Sequence, residues 1–172
     1  MAEIGRGNAA PIRVLFVCTG NSARSVLSEA TLNALGKGRF VAYSAGSQPS
    51  GRVNPRALKQ IAARGWPTGG YRSKSWDEFT VESGPALDIV VTVCDSAAQE
   101  TCPVYFGDFV STHWGLPDPT AATGSEADID AAFAQAHRII EHRVAQLVAL
   151  PIDTLSSSEL RDRLDAIGRS SP

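Results

Sequence analysis

Cysteine is scarce in this chain: 172 residues contain three, at positions 18, 94 and 102. An odd, small set cannot form a fully paired disulfide framework, and in a reducing compartment all three are expected to be thiols. Long apolar runs are missing too. The longest near the start, residues 12–17 with Arg13 inside it, is far too short for a membrane span or a signal-peptide core. Neither sign of charge dominates: 16 Lys+Arg against 18 Asp+Glu give −2. That balance argues against broad binding to nucleic acid or an anionic membrane, while leaving room for a local basic pocket. There is no internal repeat, no low-complexity segment and no Gly-x4-Gly-Lys phosphate loop, so nucleotide hydrolysis is not expected. The remaining composition, 43% hydrophobic and 20% charged, is that of a globular protein with one full-sized core, and the chain is expected in the cytoplasm.

Hydrophobic patterning orders the chain. Residues 1–11 lack periodicity and end in Pro11, predicting a flexible arm. Residues 13–17 read as a buried strand running into Cys18, and a helical pattern follows from Ser25 until the glycines at 36 and 38. A second strand is expected at 40–44, closed by Gly46, and a helix from Asn54-Pro55, with Asn as cap and Pro at the first helical position. Ser75 and Glu78 have capping-box spacing and predict a short helix. Strands are expected at 87–93 and 109–113. The longest helix, capped by Ser125, carries an apolar stripe of Ile129, Phe133, Ala136, Ile140, Val144 and Leu147, with His137 and His142 expected at its solvated edge. A last helix over 156–167, with a Ser156–Glu159 capping box, ends at Gly168. Strands alternating with helices predict a single α/β domain with a four-stranded parallel sheet flanked by helices. The division is an arm at 1–11, a catalytic domain at 12–150 and a helical extension at 151–172. In such sheets the ligand site lies beyond the carboxyl ends of the strands, where Cys18 and Cys94 both fall.

Three groups of residues carry chemistry. In CTGNSARS, Arg24 stands six residues after Cys18. That spacing alone is weak, and an ordinary buried cysteine beside a surface arginine would satisfy it. Its context is stronger: a strand-to-helix loop with Gly20, Asn21 and Ser22 bends readily and leaves amides to bind an anion. Arg24 adds a planar fork for two oxyanion oxygens. The same field is expected to lower the pKa of Cys18, making it a nucleophile toward a tetrahedral oxyanion. Displacement there needs a proton for the leaving oxygen, and Asp118, fixed between Pro117 and Pro119, offers a carboxyl. Cys94 and Cys102 are separated by seven residues, too far for a Cys-x-x-C pair and unsuited to a metal site. They read as ordinary thiols or as partners of Cys18 in a relay.

The loop CTGNSARS resembles the signature of the low-molecular-weight protein tyrosine phosphatase superfamily, which includes the thiol-dependent arsenate reductases. The resemblance implies that Cys18 is the nucleophile and that Thr19, Gly20, Asn21, Ser22, Ala23 and Arg24 bind the oxyanion. It further implies that Ser25 hydrogen-bonds the thiolate and that Asp118 is the general acid. Cys18, Cys94, Cys102 and HWGLPDP together resemble the arsenate reductase branch over residues 12–150. That branch implies reduction of arsenate to arsenite, with Cys94 attacking Cys18 and a Cys94–Cys102 disulfide left at the end. Two departures stand out: the familiar enzymes separate the last two cysteines by six residues, and often carry another cysteine where this chain has Ala23. The final reductant, thioredoxin or glutaredoxin with glutathione, is therefore left open.

No bound cofactor or metal is expected, although Glu29 and Ser44 match positions that, with Asn21, bind potassium in some related enzymes. The expected state is a monomer or homodimer. A tyrosine phosphatase is the second reading, and a non-catalytic redox or oxyanion sensor the third. Against the second, Thr120 and Ala121 follow Asp118-Pro119 where such phosphatases carry aromatic residues. Trp66, Trp76 and Trp114 are expected to be packing anchors, with Trp114 near enough to Asp118 to line the site.

Overall fold

A computed structural model describes residues 10–80, 84–95, 105 and 107–172. Most of the predicted amino-terminal arm, and Cys102 with the segment before it, lie outside the described residues.

Four parallel strands form one sheet: β1 (Ile12–Cys18), β2 (Phe40–Gly46), β3 (Ile89–Thr92) and β4 (Val110–His113). Their order is β2-β1-β3-β4, as expected of the predicted α/β class. The central strand β1 is apolar on both faces, with Val14, Leu15, Phe16 and Val17 fully buried, because helices cover a parallel sheet on both sides. In register, Cys18 lies opposite Gly46, Val17 opposite Thr92, and Thr92 opposite His113, so the carboxyl ends meet along one edge. The chain leaves β1 toward β2 on one side and returns to β3 on the other. Cys18 therefore stands at the point where the strand order reverses, where a crevice opens in sheets of this kind.

The helices α1 (Arg24–Leu35), α2 (Pro55–Ala63) and α3 (Glu126–Val148) pack on one another, and α4 (Ser157–Gly168) packs on β4 and α3. Capping follows the sequence. Asn54 accepts a bond from the Arg56 amide with Pro55 at the first turn, and Ser125–Asp128 and Ser156–Glu159 form reciprocal capping boxes. Ser75 also caps, but over a single 3-10 turn (Trp76–Phe79), because the Glu78 carboxylate turns to Arg72 instead of back to Ser75. The third strand is shorter than predicted, and Cys94 follows two residues beyond its end.

Two polar residues share the buried face of α3 with the expected apolar stripe: His137 and Arg143. The placement of His137 at a solvated edge is thus corrected. It is fully buried, because residue 137 lies one turn from both Phe133 and Ile140. The Thr31 hydroxyl donates to the Leu27 carbonyl (2.6 Å), so at 3.0 Å it accepts from His137 Nε2. His137 Nδ1 is buried with no hydrogen-bond partner among the described residues, and the Trp66 ring packs against the imidazole. Burial, aided by the Arg64 charge and opposed by Glu141, lowers the His137 pKa to about 4.

A histidine held neutral in this way stabilises the fold fully above its unfolded pKa of about 6.5, and that contribution falls away as pH drops toward 4. The shift corresponds to about 3 kcal/mol. The unfolding free energy of the wild type relative to His137→Phe should therefore fall by up to about 3 kcal/mol between pH 7 and pH 4, measured by urea titration. A difference that stays constant across that range would contradict the assignment.

Candidate active site

The loop between β1 and α1 is built by its carbonyl groups. The oxygens of Cys18, Thr19, Gly20 and Ser22 accept bonds from the amides of Ser47, Gln48, Ser50 and Asn54 at 2.8–3.2 Å, and Ser73 Oγ adds a second bond to the Gly20 oxygen. In a planar trans peptide the N–H points opposite to its C=O. Drawing these carbonyls toward residues 47–54 therefore turns the amides of Thr19, Gly20, Asn21 and Ala23 the other way. The Asn21 amide confirms the direction, donating to Cys18 Sγ at 3.1 Å. Helix α1 begins at Arg24, and its cap residue, Ala23, supplies no side-chain bond to the first turn. The loop thus directs converging amides and a helix terminus at one point, as an anion cradle requires.

Two details fix the curvature. Asn21 adopts φ +46°, the left-handed region, and its side chain holds it there: Oδ1 accepts from the Lys74 amide (2.8 Å) and Nδ2 donates to Ser25 Oγ (2.8 Å). Gly46, at the end of β2, lets the loop approach, because a Cβ there would lie 2.4 Å from the Thr19 oxygen.

Cys18 Sγ sits in this cradle, buried, 2.9 Å from Ser25 Oγ. Since Ser25 Oγ already accepts from Asn21, its own proton is left for the sulfur, which favours a thiolate. The expected lowering of the Cys18 pKa is nevertheless corrected. Burial raises it above the usual thiol range, outweighing the bonds from Ser25 and the Asn21 amide, and the proximity of Cys94 raises it further. The cradle therefore offsets only part of what burial costs a negative charge on the sulfur.

Arg24 joins the loop to Asp118. Its guanidinium donates to the Leu116 carbonyl (3.0 Å) and lies 3.5 Å from Asp118 Oδ2. The other oxygen, Oδ1, accepts from Thr120 N (2.9 Å) and Thr120 Oγ1 (2.7 Å). Asp118 caps the 3-10 turn Pro119–Ala121, so its direction is set by Thr120 as well as by the two prolines. The Asp118 side chain is 40% exposed and so open to water.

Cys94 is a buried thiol, with its Sγ 3.6 Å from Thr19 Oγ1. The structure therefore brings Cys94 beside the residue that follows Cys18. Glu29 accepts from Ser44 Oγ (2.6 Å), burial raises its pKa, and the Lys74 charge opposes that rise. Lys74 thus gives Glu29 a cation from the chain itself, and the Lys74 amide occupies Asn21 Oδ1. Among the described residues no three His, Cys, Asp or Glu side chains are grouped to hold a metal ion, and no helix is long and apolar enough to cross a membrane. Trp114 is a packing anchor, buried against Phe16 with its Nε1 bonded to the Leu164 carbonyl. Sequence reasoning missed Lys74, Gly46 and Thr120. Only Thr120, two residues from Asp118 in an Asp-Pro-Thr turn, left a local signal.

Residues 13–160 match the low molecular weight phosphotyrosine protein phosphatase family. An arsenate reductase of Halalkalibacterium halodurans is 32% identical over 131 residues, covering 76% of this chain and 91% of that protein. An arsenate reductase of Bacillus subtilis is 32% identical over 133 residues, covering 77% and 92%. Among solved structures, the arsenate reductase of Archaeoglobus fulgidus superposes with a TM-score of 0.59 at 33% identity, over 80% of this chain and 99% of that one.

The sulfur environment makes a direct prediction. Ser25→Ala removes a hydrogen bond that favours the thiolate, so the alkylation-rate profile of Cys18 with iodoacetamide should move to higher pH. Each unit of movement slows the reaction at neutral pH by about tenfold. An unchanged profile would show that Ser25 does not act on the sulfur.

Proposed function

This chain belongs to the low molecular weight phosphotyrosine protein phosphatase family, and we propose that it reduces arsenate to arsenite with Cys18 as nucleophile. The observation that carries the reading is the second buried thiol beside the loop: Cys94 Sγ lies 3.6 Å from Thr19 Oγ1, the side chain next to Cys18. Hydrolysis of a phosphocysteine needs only water. Reduction of As(V) on Cys18 needs a second sulfur that can reach the adduct, and Cys94 is the buried thiol beside the loop. The arsenate reductases of similar sequence favour the same reading.

An arsenate dianion is itself a base for the Cys18 proton. Transfer of the thiol proton to an arsenate oxygen gives a thiolate and a monoanion with no change in total charge, inside a cradle built for negative charge. Loop amides and Arg24 hold three oxygens while Sγ attacks arsenic. The fourth oxygen leaves as water after taking a proton from Asp118, giving a Cys18–S–As(V) adduct. Cys94 Sγ then attacks Cys18 Sγ, its thiol proton passing to an oxygen of the departing arsenic group. The S–S bond forms, the S–As bond breaks, and its electron pair stays on arsenic, which departs as arsenite. Two thiols lose two electrons and As(V) gains two. Cys102 next attacks Cys94, freeing Cys18 and leaving a Cys94–Cys102 disulfide. An external dithiol or thiol system of the cytoplasm, thioredoxin or glutaredoxin with glutathione, then restores the thiols.

A phosphotyrosine phosphatase would use the same cradle and acid, but its phenyl ring needs a surface to lie on. The cavity of about 350 Å³ beside Asp118, lined by Ala121, Ala122, Ala132, Ala136 and Ile139, offers among the described residues no aromatic side chain for the ring to stack on, and the Thr120 side chain is turned onto Asp118. A passive sensor leaves the placement of Asp118 by Arg24 and Thr120 without a purpose.

Cys94→Ser separates these readings. It should abolish arsenate reduction and leave slow hydrolysis of an aryl phosphate, which needs only the Cys18 loop and Asp118. Equal loss of both activities would overturn the relay, and turnover of tyrosine phosphate far above that of arsenate would overturn the substrate.

A further inference from the structure

Arg143 is an unusual residue for the inner face of a helix. It is 7% exposed on α3, has no carboxylate within ion-pair distance among the described residues, and spends its donors on three main-chain carbonyls. Nη1 donates to Trp114 O and to Gly115 O, both at 3.0 Å, and Nε donates to Ser170 O at 3.1 Å. Burying an unpaired guanidinium is costly, and a stack of apolar side chains would fill the space at lower cost. What it obtains is a grip on main chain that no apolar residue supplies.

The position of that grip is informative. Trp114 and Gly115 are the residues by which the chain leaves β4 and enters the loop of Asp118. The next carbonyl, Leu116 O, is held by Arg24, and Arg24 also faces the Asp118 carboxylate. Two arginines thus hold three successive carbonyls, Arg143 the first two and Arg24 the third. The third acceptor of Arg143 belongs to the carboxyl-terminal segment. Helix α4 braces the same strand: Thr112 Oγ1 donates to Asp165 at 2.6 Å, Trp114 Nε1 donates to Leu164 O at 2.9 Å, and a Cβ at Gly168 would strike the His113 carbonyl at 2.5 Å. Leu164, Asp165, Gly168 and Ser170 all lie beyond residue 160, where the match to the family ends.

The geometry points to Arg143, locked by the carboxyl-terminal segment through Ser170, as a positioning residue that sets Asp118 toward the leaving oxygen. This rests on the reading of Asp118 as proton donor. It does not rest on arsenic being the substrate, because aryl phosphate hydrolysis calls on the same acid. Arg143 touches neither the anion nor the sulfur. Its loss should weaken proton donation alone, leaving the attack by Cys18 intact.

Aryl phosphates of graded leaving group read that distinction. A phenol of low pKa departs with little help, whereas one of high pKa depends on Asp118. In Arg143→Met, kcat/KM for the phosphate of the most acidic phenol should stay within about twofold of wild type, while that of the least acidic falls by about tenfold or more. Asp118→Asn should show the same selective pattern, and adding R143M to D118N should cause no further loss, because one residue acts through the other. Arg143→Lys, which cannot reach three carbonyls at once, and a chain ending at Arg169, which lacks the Ser170 carbonyl, should lie between the extremes. These milder variants keep the test available if R143M does not fold. A uniform loss across all phenols, or a full further loss in the D118N background, would overturn the proposal. Selective loss in none of the variants, D118N included, would instead overturn the reading of Asp118 on which it rests.

Discussion

The site depends on the direction of a few peptide groups. Four carbonyls of one loop are drawn toward residues 47–54, and trans-peptide geometry then obliges their amides to converge on the other side. Without that anchoring, Cys18 would be a buried thiol at the end of a strand and Arg24 a surface cation at the start of a helix. The anchoring itself depends on distant parts of the chain: Gly46 leaves room for the Thr19 oxygen, and the Lys74 amide holds Asn21 in its left-handed conformation. The cradle is a product of the fold, and the residues that form its wall are not those that do its chemistry.

Burial acts on the same sulfur in the opposite sense. Burial makes ionisation of Cys18 unfavourable, and the hydrogen bonds from Ser25 and the Asn21 amide offset only part of the cost. Strand order adds the second requirement. With β1 and β3 adjacent and their carboxyl ends in register, Cys94 is delivered beside Thr19. The two thiols thus emerge from neighbouring strands at the point where the topology reverses.

Much of this was readable from sequence, and the exceptions share a cause. The loop from Cys18 to Ser25, the strand ends, the caps at Asn54, Ser125 and Ser156, and Asp118 between its prolines all follow from interactions within a few residues. The direction of the Cys18 shift does not, because desolvation sums over the whole core while the helix terminus and the loop amides are local. His137 and Arg143 are instructive in another way. Both lie in phase with the apolar stripe of α3, yet their polarity led the reading to place His137 at the solvated edge and to pass over Arg143. Their partners, Thr31 and the carbonyls of Trp114, Gly115 and Ser170, lie far away or are main-chain atoms that no motif records. The contact of Lys74 with Asn21 spans 53 residues and left no local trace.

The central claim is that arsenic is reduced on Cys18 and that the oxidising equivalents leave through Cys94. A single turnover of the reduced protein with arsenate, quenched by alkylation and read by peptide mass spectrometry, tests it most directly. The account predicts arsenite in equal amount to protein, Cys18 recovered as an alkylated thiol, and Cys94 joined to Cys102. Arsenite formed while Cys94 and Cys102 both remain alkylatable, or with Cys18 held in a mixed disulfide to an added small thiol, would contradict it.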